Sequence, residues 1–223
     1  MAYHVHSDKP LFELVIGDKA YSSWSMRAWL VAVQSGLPFK ETMVKLDGPK
    51  TAAAIAKHSP SGKVPVLKHK GLQVWDSLAI AEYLNELSPE AQLWPADPVL
   101  RATARSYAAE AHSGFATLRG QLSMDLQLKS KARHLFPGTI ADIERILQLW
   151  KDALKKSHGP YLFGDFCIAD AFYAPFVFRF LSYGVKIKDK NVLAYMQNIQ
   201  DHHGVQFWVQ EALQEKNNTA VFK

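Results

Sequence analysis

Ser22, Ser23 and Ser25 crowd a turn that leads into a run with helical spacing. The start of a helix presents unpaired N–H groups and a partial positive charge, so it stabilises an anion. A serine hydroxyl placed there can donate to a thiolate or an oxyanion. Plain N-capping of the helix, for which one serine suffices, draws on the same residues. A second group, Lys63, Val64 and Pro65, stands at the mouth of a short apolar run. Proline opening an interior strand removes a ladder donor. With a cis bond, that turn would offer the Val64 backbone N–H and C=O to a ligand. In the third group, Asp76 and Ser77 follow Trp75 and open another helical run. Either can cap the helix. Together they also suit an amino-acid head group, the Ser77 N–H and hydroxyl meeting a carboxylate while Asp76 faces an ammonium.

Short elements must hold these groups. Residues 11–16 form an apolar run that reads as a buried strand. Met26, Trp29, Leu30 and Val33 fall on one helix face, which Gly36 and Pro38 end. A strand over 39–46 and an Ala-rich helix over 50–57 follow. A strand over 64–67 and a second over 72–75 make a hairpin at Gly71, and the helix from Ser77 carries Ile80, Tyr83, Leu84 and Leu87. The order β-α-β-α-β-β-α predicts a mixed sheet with helices on both faces. Pro89, Pro95 and Pro98 mark a boundary, and everything after it reads helical. One long helix is expected from Pro98 to about residue 127. A second opens at a capping box of Thr139 and Asp142, has a stripe of Ile143, Leu147, Trp150 and Leu154, and ends at Gly159. The most apolar helix spans 167–183, with Cys167 at its cap, and shorter helices cover 191–200 and 207–215. The domains are therefore placed at residues 1–88 and 97–223.

Composition narrows the function. The chain has 223 residues, 48% of them hydrophobic and 21% charged, which fits a folded globular protein. No apolar run reaches the roughly 18 residues of a membrane span, and residues 1–10 lack the apolar core of a signal peptide. The single cysteine, Cys167, excludes an internal disulfide and any Cys-X-X-Cys centre. It fits a reducing, cytoplasmic setting. The net charge of +5 is spread along the chain without a nucleic-acid-binding motif. No nucleic-acid or membrane partner is expected. His4 with His6, and the pair His202 and His203, supply too few ligands for a metal site, so no metal is expected.

The order and spacing of the three polar groups resemble the cytosolic glutathione transferase family over about residues 11–215. The strand at Val64 and Pro65 is similar to that family's cis-proline loop. Asp76 and Ser77 resemble its pair that binds the γ-glutamyl end of glutathione. Residues 164–171, with Cys167 and Asp170, are similar to its buried N-capping box and hydrophobic staple, though a thiol stands where the family places Ser or Thr. The resemblance implies an α/β thioredoxin-like N-terminal domain, an all-α C-terminal domain and a homodimer. It implies glutathione as co-substrate and a small electrophile as the second partner. The serine run looks like that of zeta-type and related bacterial enzymes, and Trp24 replaces their cysteine. On this alignment Ser22 assists the sulfur, with Ser23 next in line and Tyr21 a discounted third. Val64 and Pro65 would meet the cysteinyl unit, and Lys50 or Lys63 the glycyl carboxylate. Arg27 reads as a helper or as a structural ion-pair residue. The electrophile would lie between the domains near Tyr107, His112 or Arg119, with the basic stretch 129–134 beyond. The resemblance implies an enzyme, a glutathione transferase that joins the thiolate of glutathione to a small electrophile; the alternatives are glutathione-dependent isomerisation of the maleylacetoacetate type and non-catalytic binding.

Overall fold

The computed structural model describes residues 9–46, 48–130 and 134–215. Strands β1 (Phe12–Gly17), β2 (Phe39–Val44), β3 (Val66–His69) and β4 (Leu72–Trp75) form one sheet in the order β2-β1-β3-β4. β1 and β2 are parallel; β3 is antiparallel to both β1 and β4. Strand side chains alternate, so Leu14 and Ile16 enter the main core while Val15 joins Val44, Ile55 and Val66 on the opposite face. Helices α1 (Ser23–Gln34) and α3 (Ser77–Leu87) cover the first face, and α2 (Thr51–Ala56) covers the second through Ile55. This is a thioredoxin-like sheet followed by helices. β3 begins at Val66 and not at Val64, because Pro65 has no N–H for the ladder.

The helical half contains α4 (Pro98–Ser113), α5 (Ala116–Gln121), α6 (Pro137–Leu154), α7 (Ile168–Ser182), α8 (Lys190–Asp201) and α9 (His203–Gln214). The long helix expected from Pro98 is broken in two. Gly114 turns extended, its N–H still on Glu110 O at 2.9 Å, and Phe115 takes φ +62°. A Cβ on Gly114 would lie 2.8 Å from that carbonyl, so only glycine makes the turn. Thr139 and Asp142 are not a cap. Pro137 starts α6, Thr139 is buried within it, and Asp142 instead accepts the Leu118 N–H at 3.0 Å, capping α5 from outside. The α6 stripe is Ile143, Ile146, Leu149, Trp150 and Ala153, with Leu147 and Leu154 only half-buried, and the helix ends at Leu154. α9 starts at His203, four residues before the expected start, since His202 serves as its N-cap.

α7 is buried nearly throughout, as its composition implies. Its start is held by Asp170, which accepts the Cys167 N–H at 3.0 Å and the Leu162 N–H at 3.1 Å. Burial, and then Asp170, push the Cys167 thiol well above its ordinary value, so it stays protonated and inert. The main core is continuous across both halves, because α1 packs on α7 and α9 as well as on the sheet.

His202 stacks on Phe166 with ring centroids 3.9 Å apart. Burial, with His203 beside it, pushes its pKa down to about 4. The unfolded value is about 6.5, so the unfolded chain binds the proton more tightly. This stabilisation is complete above about pH 6.5 and is lost as the pH falls towards 4. His202→Phe keeps the stack and removes the proton. In thermal unfolding across this range, the variant gains on the wild type as the pH falls; a pH-independent difference would refute the assignment.

Candidate active site

The three polar groups of the sequence meet in one cavity of about 640 Å³. Its walls include Ser22, Ser23 and Trp24 from the start of α1, Lys63, Val64 and Pro65 before β3, and Asp76 and Ser77 at the start of α3. The Val64–Pro65 bond is cis. Tyr21 also lines the cavity. Lys50 does not: it is exposed at the N-cap of α2, on a neighbouring concavity with Lys45 and Lys57. Trp24 is a partly exposed cavity wall, whereas Met26 is core.

The two serines differ in what their hydroxyls do. Ser22 caps α1, accepting the Ser25 N–H at 3.3 Å, and donates its own hydrogen to Ser25 Oγ at 2.7 Å. Ser25 Oγ also accepts the Gly17 N–H at 3.0 Å, which ties this pair to the end of β1. Ser23 Oγ accepts from Arg179 Nη2 at 3.2 Å, and its hydrogen has no acceptor among the described residues. Ser23 therefore holds a free donor at the cavity wall, and Ser22 does not.

Asp76 sits at φ +74°, a backbone state that costs a non-glycine residue about 1–3 kcal/mol and that clusters at ligand clamps. Its Oδ1 accepts the Leu78 N–H at 2.8 Å and its Oδ2 lies 3.2 Å from His112 Nε2. Burial, together with Arg27 and Arg119, lowers the His112 pKa against the pull of Asp76. The ring is thus neutral near pH 7 and donates its Nε2–H to Asp76. Ser77 Oγ is buried without a hydrogen-bond partner among the described residues. His112 and Arg119 lie beside the Trp24 wall, but Tyr107 faces a separate groove and donates its hydroxyl to Leu149 O at 3.2 Å. Of the basic stretch 129–134, residues 131–133 lie outside the described residues, as do His4 and His6. Among the described residues no cluster of three or more metal-ligating side chains exists, and no helix is long and apolar enough to cross a membrane.

The loop bearing the serines is fixed from afar. Lys19, 3% exposed, pairs with Glu41 at 2.7 Å and with Glu211 of α9. Its ammonium lies 5.5 Å from the rings of Trp29 and Trp208. Glu215 accepts the N–H groups of Lys19 and Ala20 at 2.8 and 3.0 Å, and Trp208 donates to Lys19 O at 3.0 Å. The last described helix thus clamps the turn that delivers Ser22 and Ser23. Of the two readings of Arg27, helper or structural ion-pair residue, the second does not hold among the described residues, where Arg27 makes no ion pair.

Residues 21–87 match the family model for the glutathione S-transferase N-terminal domain. A probable maleylacetoacetate isomerase of Caenorhabditis elegans is 32% identical, the alignment covering 71% of this chain and 76% of that protein. The maleylacetoacetate isomerase of Rattus norvegicus is 30% identical over 69% of this chain and 72% of its own. A Burkholderia glutathione transferase homologue solved with bound glutathione superimposes with a TM-score of 0.72 at 28% identity, covering 93% of this chain and all of that one. With this sequence similarity and this architecture, the chain belongs to the glutathione S-transferase family.

Proposed function

We propose that the chain is a glutathione transferase that ionises the glutathione thiol at the start of α1 and adds the sulfur to a small electrophile. The observation that carries this reading is the convergence of a serine hydroxyl, the Val64–Pro65 turn and the Asp76–Ser77 pair on one cavity. Asp76 and Ser77 would take the γ-glutamyl end, Val64 the cysteinyl backbone and Lys63 the glycyl carboxylate. The thiol proton leaves to water. A sulfur–carbon bond then forms while the leaving group departs with its electron pair, or while a conjugated double bond takes up the pair and a proton. A free thiol is only a few per cent ionised at pH 7, so lowering its pKa by one unit raises the reactive fraction several-fold. Ser23 is the better-placed donor, since Ser22 spends its hydrogen on Ser25.

The names of the relatives favour a second reading, glutathione-dependent isomerisation. There the sulfur would add to a conjugated double bond, permit rotation and leave again, so glutathione would not be consumed. The proposed assembly is a homodimer: Leu72 and Trp75 on the edge strand β4, and Val99 and Leu100 at the start of α4, are exposed apolar residues that a second copy would cover. A reducing, cytoplasmic setting is proposed on the buried lone cysteine.

The test is retention on immobilised glutathione, followed by conjugation assays on the wild type, Ser22→Ala and Ser23→Ala. Wild type is expected to bind and to turn over. Ser23→Ala should lose about 10–100-fold in kcat/KM, and Ser22→Ala about fivefold through its helix cap. A wild type that neither binds nor reacts overturns the reading. Recovery of isomerised product with glutathione undiminished selects the second one.

A further inference from the structure

Three guanidinium groups stand behind the serine wall with no carboxylate paired to any of them among the described residues. Arg27 on α1 is fully buried, and its Nε and Nη1 have no hydrogen-bond partner there. Its guanidinium lies 4.4 Å from the Trp24 ring centroid, and that of Arg119 on α5 lies 4.8 Å from the same ring. Arg179 on α7 is 5% exposed; its Nη1 is held by the Leu122 and Arg119 carbonyls and its Nη2 meets Ser23 Oγ at 3.2 Å. Burial first, and then the neighbouring guanidiniums, hold Arg27 well below its ordinary pKa and bring Arg179 down to about 10. Arginine nevertheless stays protonated in a protein. Buried cations without counter-ions cost several kcal/mol, a debt that an arriving anion cancels. The cavity that shares Ser23 and Trp24 with this layer is where such an anion would sit.

We propose that Arg179 is a positioning residue for the glutathione thiolate: by occupying a lone pair of Ser23 Oγ it turns the Ser23 hydrogen towards the sulfur, and with Arg27 and Arg119 it supplies the positive field that keeps the sulfur ionised. This rests on the glutathione reading above. Ser22 is spared that role because its hydrogen is bound to Ser25. The thiol gives its proton to water, and Ser23 keeps its own. Asp76 and Tyr173 act on Arg27, Asp142 on Arg119 and Tyr183 on Arg179. His112 borders the layer as a neutral ring, and Lys63 is an exposed residue of the cavity's lining.

The experiment follows the ultraviolet absorbance of the thiolate in the enzyme–glutathione complex against pH, alongside the pH profile of kcat/KM. Arg179→Gln is expected to raise the thiol midpoint by about one unit and to lower kcat/KM about tenfold below about pH 7, with the KM for glutathione changed less than about twofold. Arg179→Lys, which keeps the charge but not the fork, should recover part of the shift. In a Ser23→Ala background Arg179→Gln should add almost nothing. An unmoved midpoint in a variant that still binds glutathione overturns the proposal, as does an equal shift with and without Ser23. If Arg179→Gln fails to fold, the serines decide. A midpoint raised by Ser23→Ala and not by Ser22→Ala supports the assignment, and the reverse defeats it. Wild type that is not retained on glutathione fails the preceding reading. Wild type that binds, with a midpoint indifferent to Arg179, fails this one alone.

Discussion

Lys19→Met lowers the free energy of unfolding by about 3–5 kcal/mol, the cost of stranding a buried charge whose partner has been removed. The stranded group is Glu41, whose side chain is 8% exposed and which also accepts the Trp29 indole N–H at 2.7 Å. Glu211 is 36% exposed and turns to water at little cost. The hydrocarbon part of Lys19 lies among Trp29, Phe207 and Trp208, and methionine fills that space, so the loss is electrostatic and not a cavity. Urea denaturation measures the effect. Adding Glu41→Gln to Lys19→Met should return a part of the stability, since neither buried charge then remains. A single variant within about 1 kcal/mol of wild type would show that the pair contributes little. Activity should fall with stability, because the same residue anchors the turn that leads to Ser22 and Ser23.

Asp170→Ala should cost about 3–5 kcal/mol. It strands the Cys167 and Leu162 N–H groups, and each buried, unsatisfied donor costs about 1–3 kcal/mol, more where the lost acceptor was charged. Burial pushes the Asp170 carboxyl up to about 6, against the hydrogen bonds that favour its ionised form. An unfolded aspartate titrates near 3.9, so the folded chain holds the proton more tightly. The stability this adds is fully present below about pH 4 and is lost as the pH rises through about 6. Asp170→Asn does not titrate, so it should be less destabilising relative to wild type at pH 7 than at pH 4. This slope is opposite in sign to that of His202, and unfolding curves of both variants at several pH values separate them. Parallel curves for Asp170→Asn and wild type would exclude a titrating Asp170.

The local parts of this fold were readable because they are written locally. The apolar run at 11–16 has one reading once both sheet faces are known to be covered, and the spacing of Trp29, Leu30 and Val33 admits one helix face. Serine before a helix, proline before a strand and an Asp-Ser pair each act within a few residues of themselves. Their meeting in one cavity needed the tertiary fold. What stayed hidden depends on segments distant in the chain. Nothing next to Lys19 announces that α9 will bury it. Asp142 looked like a cap for its own helix and caps another. The Ser22 and Ser23 spacing could not tell which hydroxyl keeps its hydrogen, since Arg179 lies 156 residues away. One signal was present: after Asp170, Arg179 is the only charged residue in an otherwise apolar buried helix, and arginine is seldom buried without a reason.

The clamp on the serine turn sets the order in which this molecule can come to life. Glu211 lies 192 residues beyond Lys19. A ribosome therefore delivers the serines early and the helix that steadies them late. Through most of synthesis the nascent chain carries Ser22 and Ser23 on a turn that α9 does not yet anchor. The turn is held by α9 only once nearly all of the described chain has been made and that helix has docked.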